Sequence, residues 1–362
     1  MGMLTVQSPS SMELLCIGDA IVDVFAAADP ARLDELGIDE PSQHIGRDEA
    51  RLLLEELRAN PVANAVLCSG GAAANVAKVA AMLQIGTAFA GCVGNDDLAS
   101  VFENDLRAAG VVPLLSAGTE ATGLCLALNC NDETRIASAP GAALEFHEAD
   151  VTEGMIAEAA ALVLDGYMLD RRVLVQHVLE LANRREIPVA LDVASVSHIR
   201  ENTEDILLYS RNYPLIVFMN ADEAIVFYNA IKKNTAEIAA SLEAISEHEK
   251  ENLILKEVGP ELKYITGRGN FPVIIIKLGS RGAVVLSGGD IHHEKTLAII
   301  PRNTVGAGDA FCAAFMSAWI RGKPIRGCAA LGNKVAREIL LVPGTQVKAG
   351  KLRSFIRQLR QR

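Results

Sequence analysis

Asn303-Thr-Val-Gly306-Ala307-Gly308-Asp309 runs directly into Ala310-Phe-Cys-Ala-Ala-Phe315-Met-Ser-Ala-Trp319-Ile320. The second part carries aromatic and aliphatic residues at helical spacing, so the Gly-Ala-Gly turn stands at a helix N-terminus. Unpaired amides and the helix dipole favour an anion there, and glycines let backbone N–H groups approach phosphate oxygens without a Cβ in the way. Asp309 opens the helix beside that anion site. A carboxylate would repel phosphate, so it makes little sense as an anion ligand. It makes sense as a general base that takes a proton from an alcohol attacking phosphorus. The alternative is an Asp capping its own helix after a glycine turn.

Working outward, short apolar runs alternate with longer helical patterns: Glu13–Gly18, Thr87–Val93, Ala161–Leu164, Pro188–Val193, Leu215–Met219 and Val273–Leu278 are strands between helical stretches such as Ala72–Leu83 and Asp97–Ala109. Continuous apolar strands separated by helices mark a mostly parallel, doubly wound α/β sheet covered on both faces. Two stretches break the rhythm. Ile21–Phe25 and Thr122–Ala139, the latter with a turn at Asn131-Asp132, read as antiparallel strands of a small accessory sheet. Lys232–Thr266, charged and helical, reads as a solvated insertion without chemistry.

Two further clusters fall where such folds place ligands. Ser69-Gly70-Gly71-Ala-Ala-Ala-Asn75 opens a helix with small residues, and the Asn75 amide is able to bridge two hydroxyls; tight helix–sheet packing is the competing account. Gly18-Asp19-Ala-Ile-Val-Asp23 lies at the carboxyl end of the first strand, the ligand edge of open parallel sheets. There Asp23 is suited to accept hydrogen bonds from a vicinal diol; simple turn-making by Asp19 is the competing account.

The chain has 362 residues, 34 Lys+Arg against 45 Asp+Glu, and a net charge of −11. Half of it is hydrophobic and 22% charged, which excludes disorder over most of the length. The acidic balance and 4% aromatic content argue against a nucleic-acid partner. The apolar run Ala310–Ile320 is too short for a bilayer, and the N-terminus has no signal-peptide pattern, so residues 1–12 read as a loose tail. Seven cysteines in apolar runs, with no Cys-x-x-Cys, read as reduced core thiols of a cytoplasmic protein. A dinucleotide-dependent oxidoreductase would need Gly-x-Gly-x-x-Gly after the first strand; Gly18-Asp19-Ala20 stands there instead.

In this order, these features resemble the PfkB, or ribokinase-like, carbohydrate kinase family, which includes ribokinase, fructokinase and adenosine kinase. Cys92-Val-Gly94-Asn-Asp96, Asn220-Ala-Asp-Glu223 and Lys277-Leu-Gly279-Ser-Arg-Gly282 are similar to further family motifs, so the resemblance spans roughly Leu14 to Thr345. It implies a ribokinase-like α/β kinase domain over 13–362, with a β-sheet lid built from about 20–45 and 112–140. It also implies phosphoryl transfer from ATP to a primary hydroxyl of a sugar, or of a ribonucleoside in the adenosine-kinase branch; a non-catalytic binding protein would not need Asp309. By the resemblance, Asp309 matches the catalytic base and Gly306, Ala307 and Gly308 the anion hole. Asp23, Gly71 and Asn75 match substrate-hydroxyl ligands, Asn220 and Glu223 residues near the phosphates, and Gly279 and Asn333 the adenine-nucleotide side. Mg²⁺ is expected on the ATP phosphates and water, with no dedicated protein metal site. Arg135 on the lid would lend positive charge over the phosphates, or be an exposed lid cation.

One departure concerns potassium. The family signature begins with Asp where this chain has Asn303, and losing a carboxylate weakens a hard-cation site, so potassium activation is not expected. The scarcity of aromatics for a nucleobase, with Phe25 the clearest lid candidate, points to a sugar acceptor. The lid would also be the surface for a possible homodimer.

Overall fold

In the computed structural model, residues 12–40, 42–130, 133–232, 242, 245–268, 271–301, 306–341 and 349–360 are described. The expected tail (1–11 of it), the Asn131-Asp132 turn and Asn303 lie outside them. Fourteen strands are found among the described residues: β1 Leu14–Ile17, β2 Ile21–Ala27, β3 Ser42–His44, β4 Val66–Gly70, β5 Thr87–Val93, β6 Val112–Ala117, β7 Gly123–Cys130, β8 Glu133–Ala139, β9 Ala161–Asp165, β10 Val189–Asp192, β11 Leu215–Asn220, β12 Val273–Lys277, β13 Ala283–Ser287 and β14 Asp290–Glu294. Nine form one sheet in the order β14-β13-β12-β11-β10-β9-β1-β5-β6, parallel throughout except for the antiparallel β12-β13-β14 end.

Alternation along the pleat explains why these strands are apolar at every position. Leu14 and Cys16 of β1 join one core, and Leu15 and Ile17 the other. Val273 and Ile275 of β12 likewise oppose Ile274 and Ile276. The helix Ala307–Ile320 lies inside the first core, with every residue from Ala310 to Ala318 buried. A helix apolar all round belongs in an interior, and this one carries Asp309 into a low-dielectric setting at its start.

The second sheet, in the order β3-β8-β7-β2-β4, is the lid. Its rear face, with Val22, Val24, Leu124 and Leu126, shares a core with Leu53, Leu54 and Leu57 of the helix Arg47–Ala59. Its front face carries Asp23, in register with Cys68 on one neighbour and Cys125 on the other. The sheet is mixed, not antiparallel: β2–β7 and β3–β8 are parallel, while β2–β4 and β7–β8 are antiparallel.

Two boundaries differ from the sequence expectation. The second lid segment begins at β7, not near residue 112, because Val112–Ala117 follows the helix Asp97–Ala108 and pairs parallel with β5 as the large sheet's edge. Val66–Gly70, placed in no lid segment by the sequence, is a lid edge strand. The Lys232–Thr266 stretch is also more than a solvated insertion. It carries most of the helical run Glu247–Arg268, part of the crossover between the parallel strands β11 and β12, and it buries Ile254, Val258 and Leu262 against the second core. All seven cysteines are free thiols, and only Cys125 is not fully buried.

Candidate active site

The Gly-Ala-Gly turn meets the requirement its sequence set. Gly306 has φ 78°, a left-handed conformation that costs a side chain energy but suits glycine. Its carbonyl accepts the Ala310 N–H at 2.9 Å, which closes the first helical turn. Asp309 therefore projects from that turn, and Asn75 Nδ2 donates to its Oδ2 at 3.0 Å across 234 residues of sequence. Asn75 is held by the helix Ala72–Met82, whose preceding residue, Gly71, has φ 84°. A Cβ on Gly71 would lie 2.4 Å from the Asp19 carbonyl oxygen, so only glycine lets the helix start against the end of β1. The amide oxygen of Asn75, Oδ1, is buried and has no partner among the described residues, so it suits a ligand hydroxyl.

Asp23 reaches the same place from the lid. Its carboxyl lies over Gly70, where a Cβ would come within 2.0 Å of its Cγ. Burial pushes its pKa up to about 7, with Lys78 opposing and Asp309 reinforcing the rise. Asp309 is pushed up to about 6 by burial and the nearby Asp192, while Lys277, the Asn75 hydrogen bond and Lys78 pull it back. The site thus brings Asp309, Asn75, Gly71 and Asp23 together at the cleft between sheet and lid.

On the far side of the glycine turn, a cavity of about 310 Å³ is lined by Lys277, Gly279, Ala307, Gly308, Phe311 and Asn333. Its volume is that of a small-molecule site. Asn333 is fixed by donating to the Glu294 carbonyl at 2.9 Å. Gly308 faces the Lys277 ammonium, which would lie 3.3 Å from a Cβ there. Lys277 Nζ in turn contacts both oxygens of Asp192, at 2.8 and 3.1 Å.

Asn220 and Glu223 do not line this cavity. Glu223 accepts from the Asn220 backbone N–H at 2.7 Å and from its side-chain amide at 2.6 Å, and the Glu223 N–H returns a bond to Asn220 Oδ1 at 2.9 Å. This reciprocal pairing caps the helix Ala221–Lys232 and leaves Glu223 buried, with a pKa pushed up to about 7 by that burial against the pull of Lys277. Arg135 is not poised over the cleft: it donates to Asp34 at 2.6 Å and to the Ile38 carbonyl at 2.7 Å, fastening the lid's outer loop.

Three site neighbours were not singled out from the sequence. Asp192 ends β10 and Asp165 ends β9, each a carboxylate closing an apolar strand at the ligand edge; that pattern was the available signal. Asp165 is buried with Oδ2 unpartnered, and burial beside Asp19 raises its pKa. Arg171 is the third. It forms an ion pair with Asp19, in the crossing from β1 to the lid, and donates at 2.6 Å to the Ala143 carbonyl, in the return from the lid. No sequence pattern links those positions.

The family model for pfkB family carbohydrate kinases matches residues 43–259 and 255–351. The adenosine kinase of Dictyostelium discoideum is 22% identical over 356 residues, covering 94% of this chain and 98% of that protein. The ATP-dependent ribose-1-phosphate kinase of Halopiger xanaduensis is 25% identical over 255 residues, or 69% of this chain and 73% of that one. The structure of adenosine kinase from Sinorhizobium meliloti superposes with a TM-score of 0.77 at 25% identity, covering 96% of this chain and 99% of that one. Among the described residues no helix is long and apolar enough to cross a membrane. The continuous strand–helix rhythm, the glycine turn before Asp309 and the match along both halves lead to one conclusion: this chain belongs to the pfkB family of carbohydrate kinases, as an ATP-dependent kinase of a sugar or nucleoside.

Proposed function

We propose that this kinase transfers the γ-phosphoryl group of ATP to a primary hydroxyl of an uncharged sugar, free or as the ribose of a nucleoside, with Asp309 as base. One observation carries the reading. Asp309 is bonded to Asn75 on the lid side, while its neighbours Ala307 and Gly308 line the cavity on the other side. A hydroxyl held by Asp23 and Asn75 would thus meet a phosphate bound at the Gly306–Gly308 amides. Asp309 takes the hydroxyl proton as the oxygen–phosphorus bond forms; the bond to the β-phosphate oxygen breaks and ADP leaves with its electron pair. The turn amides and Lys277 face the charge that develops on the transferring group. Mg²⁺ on the ATP phosphates would neutralise their charge, and the carboxylates of Asp192 and Glu223 beside Lys277 suit its water shell.

Acceptor charge follows from the cations near Asp309. Lys78 is bound to the Ser69 carbonyl and Asp105, Arg171 to Asp19 and Ala143, and Lys277 to Asp192. With Asp19, Asp23 and Asp165 around the cleft, a phosphorylated acceptor would meet carboxylates. Each of these three cations is already paired with a carboxylate, and only Arg171 keeps a buried N–H, Nε, without a partner among the described residues. The nucleoside form has support of its own. Tyr167, 44% exposed, stands edge-on to His198 with ring centroids 4.7 Å apart, and Asp309 and Cys125 of the lid are among the groups that perturb it. That ring offers an apolar wall for a base, and the adenosine kinase relative matches nearly end to end.

The test is ADP release with ATP and Mg²⁺ over a panel of ribose, fructose, adenosine, cytidine, ribose 1-phosphate and fructose 6-phosphate. Turnover of a neutral member is expected. Preference for a phosphorylated acceptor would remove the charge argument.

A further inference from the structure

Charge is spread unevenly along this chain. From Arg321 to the C-terminus it carries 11 Lys and Arg and one acid, Glu338, a net +10. Since the whole chain is at −11, the preceding 320 residues stand at −21. The described part of this basic segment is mainly two helices, Ile325–Leu340 and Ala349–Arg360. The second buries Leu352, Phe355 and Leu359 in the core and leaves Arg353, Arg357 and Arg360 exposed. No large hydrophobic side chain is exposed among the described residues of the segment. Its described residues therefore offer electrostatic attraction and no exposed apolar anchor.

The helices are antiparallel. Arg321, before the first, pairs with Glu13 just ahead of β1, and Arg360, ending the second, donates to Gln84 beyond the helix Ala72–Met82 at 2.7 Å. Both contacts lie at the edge opposite the ligand side. Lys334 Nζ and Gln358 Oε1 are 3.5 Å apart and set the register. At about 1.5 Å of rise per residue, Arg353 lies about 8 Å nearer the ligand edge than Gln358, level with the turn of the first helix where Arg337 and Leu340 line the cavity.

We propose that this basic face steers ATP electrostatically into the cavity lined by Gly279, Gly308 and Asn333. The inference rests on the assignment of that cavity to the nucleotide. An anion approaching a body of charge −21 is repelled over most of its surface. A single-signed patch beside a cleft mouth reverses the local field and raises association rates.

The test is stopped-flow association of a fluorescent ATP analogue with Mg²⁺ and the full-length chain, from about 10 to about 200 mM ionic strength. At the low end fields reach about 30 Å, and near physiological salt about 8 Å. Steering makes the association rate constant fall as salt rises, against the direction set by the net charge of −11. Arg353→Gln with Arg357→Gln should lower it about three- to tenfold at about 10 mM, with dissociation changed less than twofold and the difference closing at high salt. A rate constant that stays flat or rises with salt in the unmodified chain, which needs no substitution, overturns the proposal, as does a folded double variant equal to it at low salt. If Asn333→Leu leaves nucleotide affinity unchanged, the cavity assignment itself fails, whichever way the salt series runs.

Discussion

Asp309 has to be ionised to act as a base, and its surroundings set the pH at which that happens. Burial and the neighbouring Asp192 push it up to about 6. A raised carboxyl loses its proton later on the way up, so the active form is present above about pH 6 and disappears below. We therefore expect kcat to fall about tenfold per unit below about pH 6, in a profile measured with saturating substrates. A kcat flat down to pH 4.5 would deny Asp309 this role. Asp309→Asn keeps the shape but not the basicity, and should lower kcat by about 10²-fold or more while nucleotide binding and melting temperature stay near the original values. In the proposed reaction Asp23 serves the acceptor alone. Losing hydrogen bonds to a charged group costs about 1.5–3 kcal/mol, so Asp23→Ala should raise acceptor KM about ten- to a hundredfold and leave the KM for ATP nearly unchanged. An equal loss for both substrates would place Asp23 outside the acceptor site.

At the scale of elements, two helices join the cavity beside Gly308, proposed for the nucleotide, to the core. Ala307–Ile320 and Ile325–Leu340 meet at Gly332, where a Cβ would sit 2.7 Å from the Phe311 ring. That ring lines the cavity and meets Phe218 edge-on at 6.4 Å, with Phe315 stacked at 6.2 Å, so it has little room to retreat. Gly332→Ala should cost about 1–3 kcal/mol in denaturant unfolding, the usual cost of overpacking. It should also raise the KM for ATP while sparing that of the acceptor, because the displaced ring belongs to the nucleotide side. An unaltered KM for ATP with normal stability would show that the helices yield at no cost to the cavity.

At the scale of the whole molecule, the lid must hold Asp23 opposite Asp309 although one comes from the lid sheet and the other from a helix packed on the large sheet. Arg171 ties together two of the chain's crossings between those sheets, through Asp19 and the Ala143 carbonyl. Arg171→Met should raise acceptor KM about tenfold with smaller effects on kcat and on the KM for ATP, and Arg171→Lys, able to keep one bond, should recover part of it. Equal effects on both substrates, or a melting-temperature loss with normal kinetics, would reduce Arg171 to a structural fastener. Such a fastener is invisible in the sequence, since 152 residues separate Arg171 from Asp19.

What the sequence by itself determined is the layered α/β architecture and the Gly306–Asp309 turn, because both depend on local rules. Doubly buried strands must be apolar at every position, and a glycine turn before a helix carries its own anion site. The approach of Asp23, Gly71 and Asn75 to Asp309 was legible only through motif order, since no local rule brings residues 75 and 309 within a hydrogen bond. Tertiary structure alone decided the rest. It added Val66–Gly70 to the lid and gave Val112–Ala117 to the large sheet, because a short apolar strand reads the same whichever edge it joins. It turned Arg135 and Arg171 into lid fasteners, and it surrounded Asp309 with Asp192, Lys277 and Lys78. Those charges act through space in a buried cleft, and the distances that govern them exist only once the chain has folded.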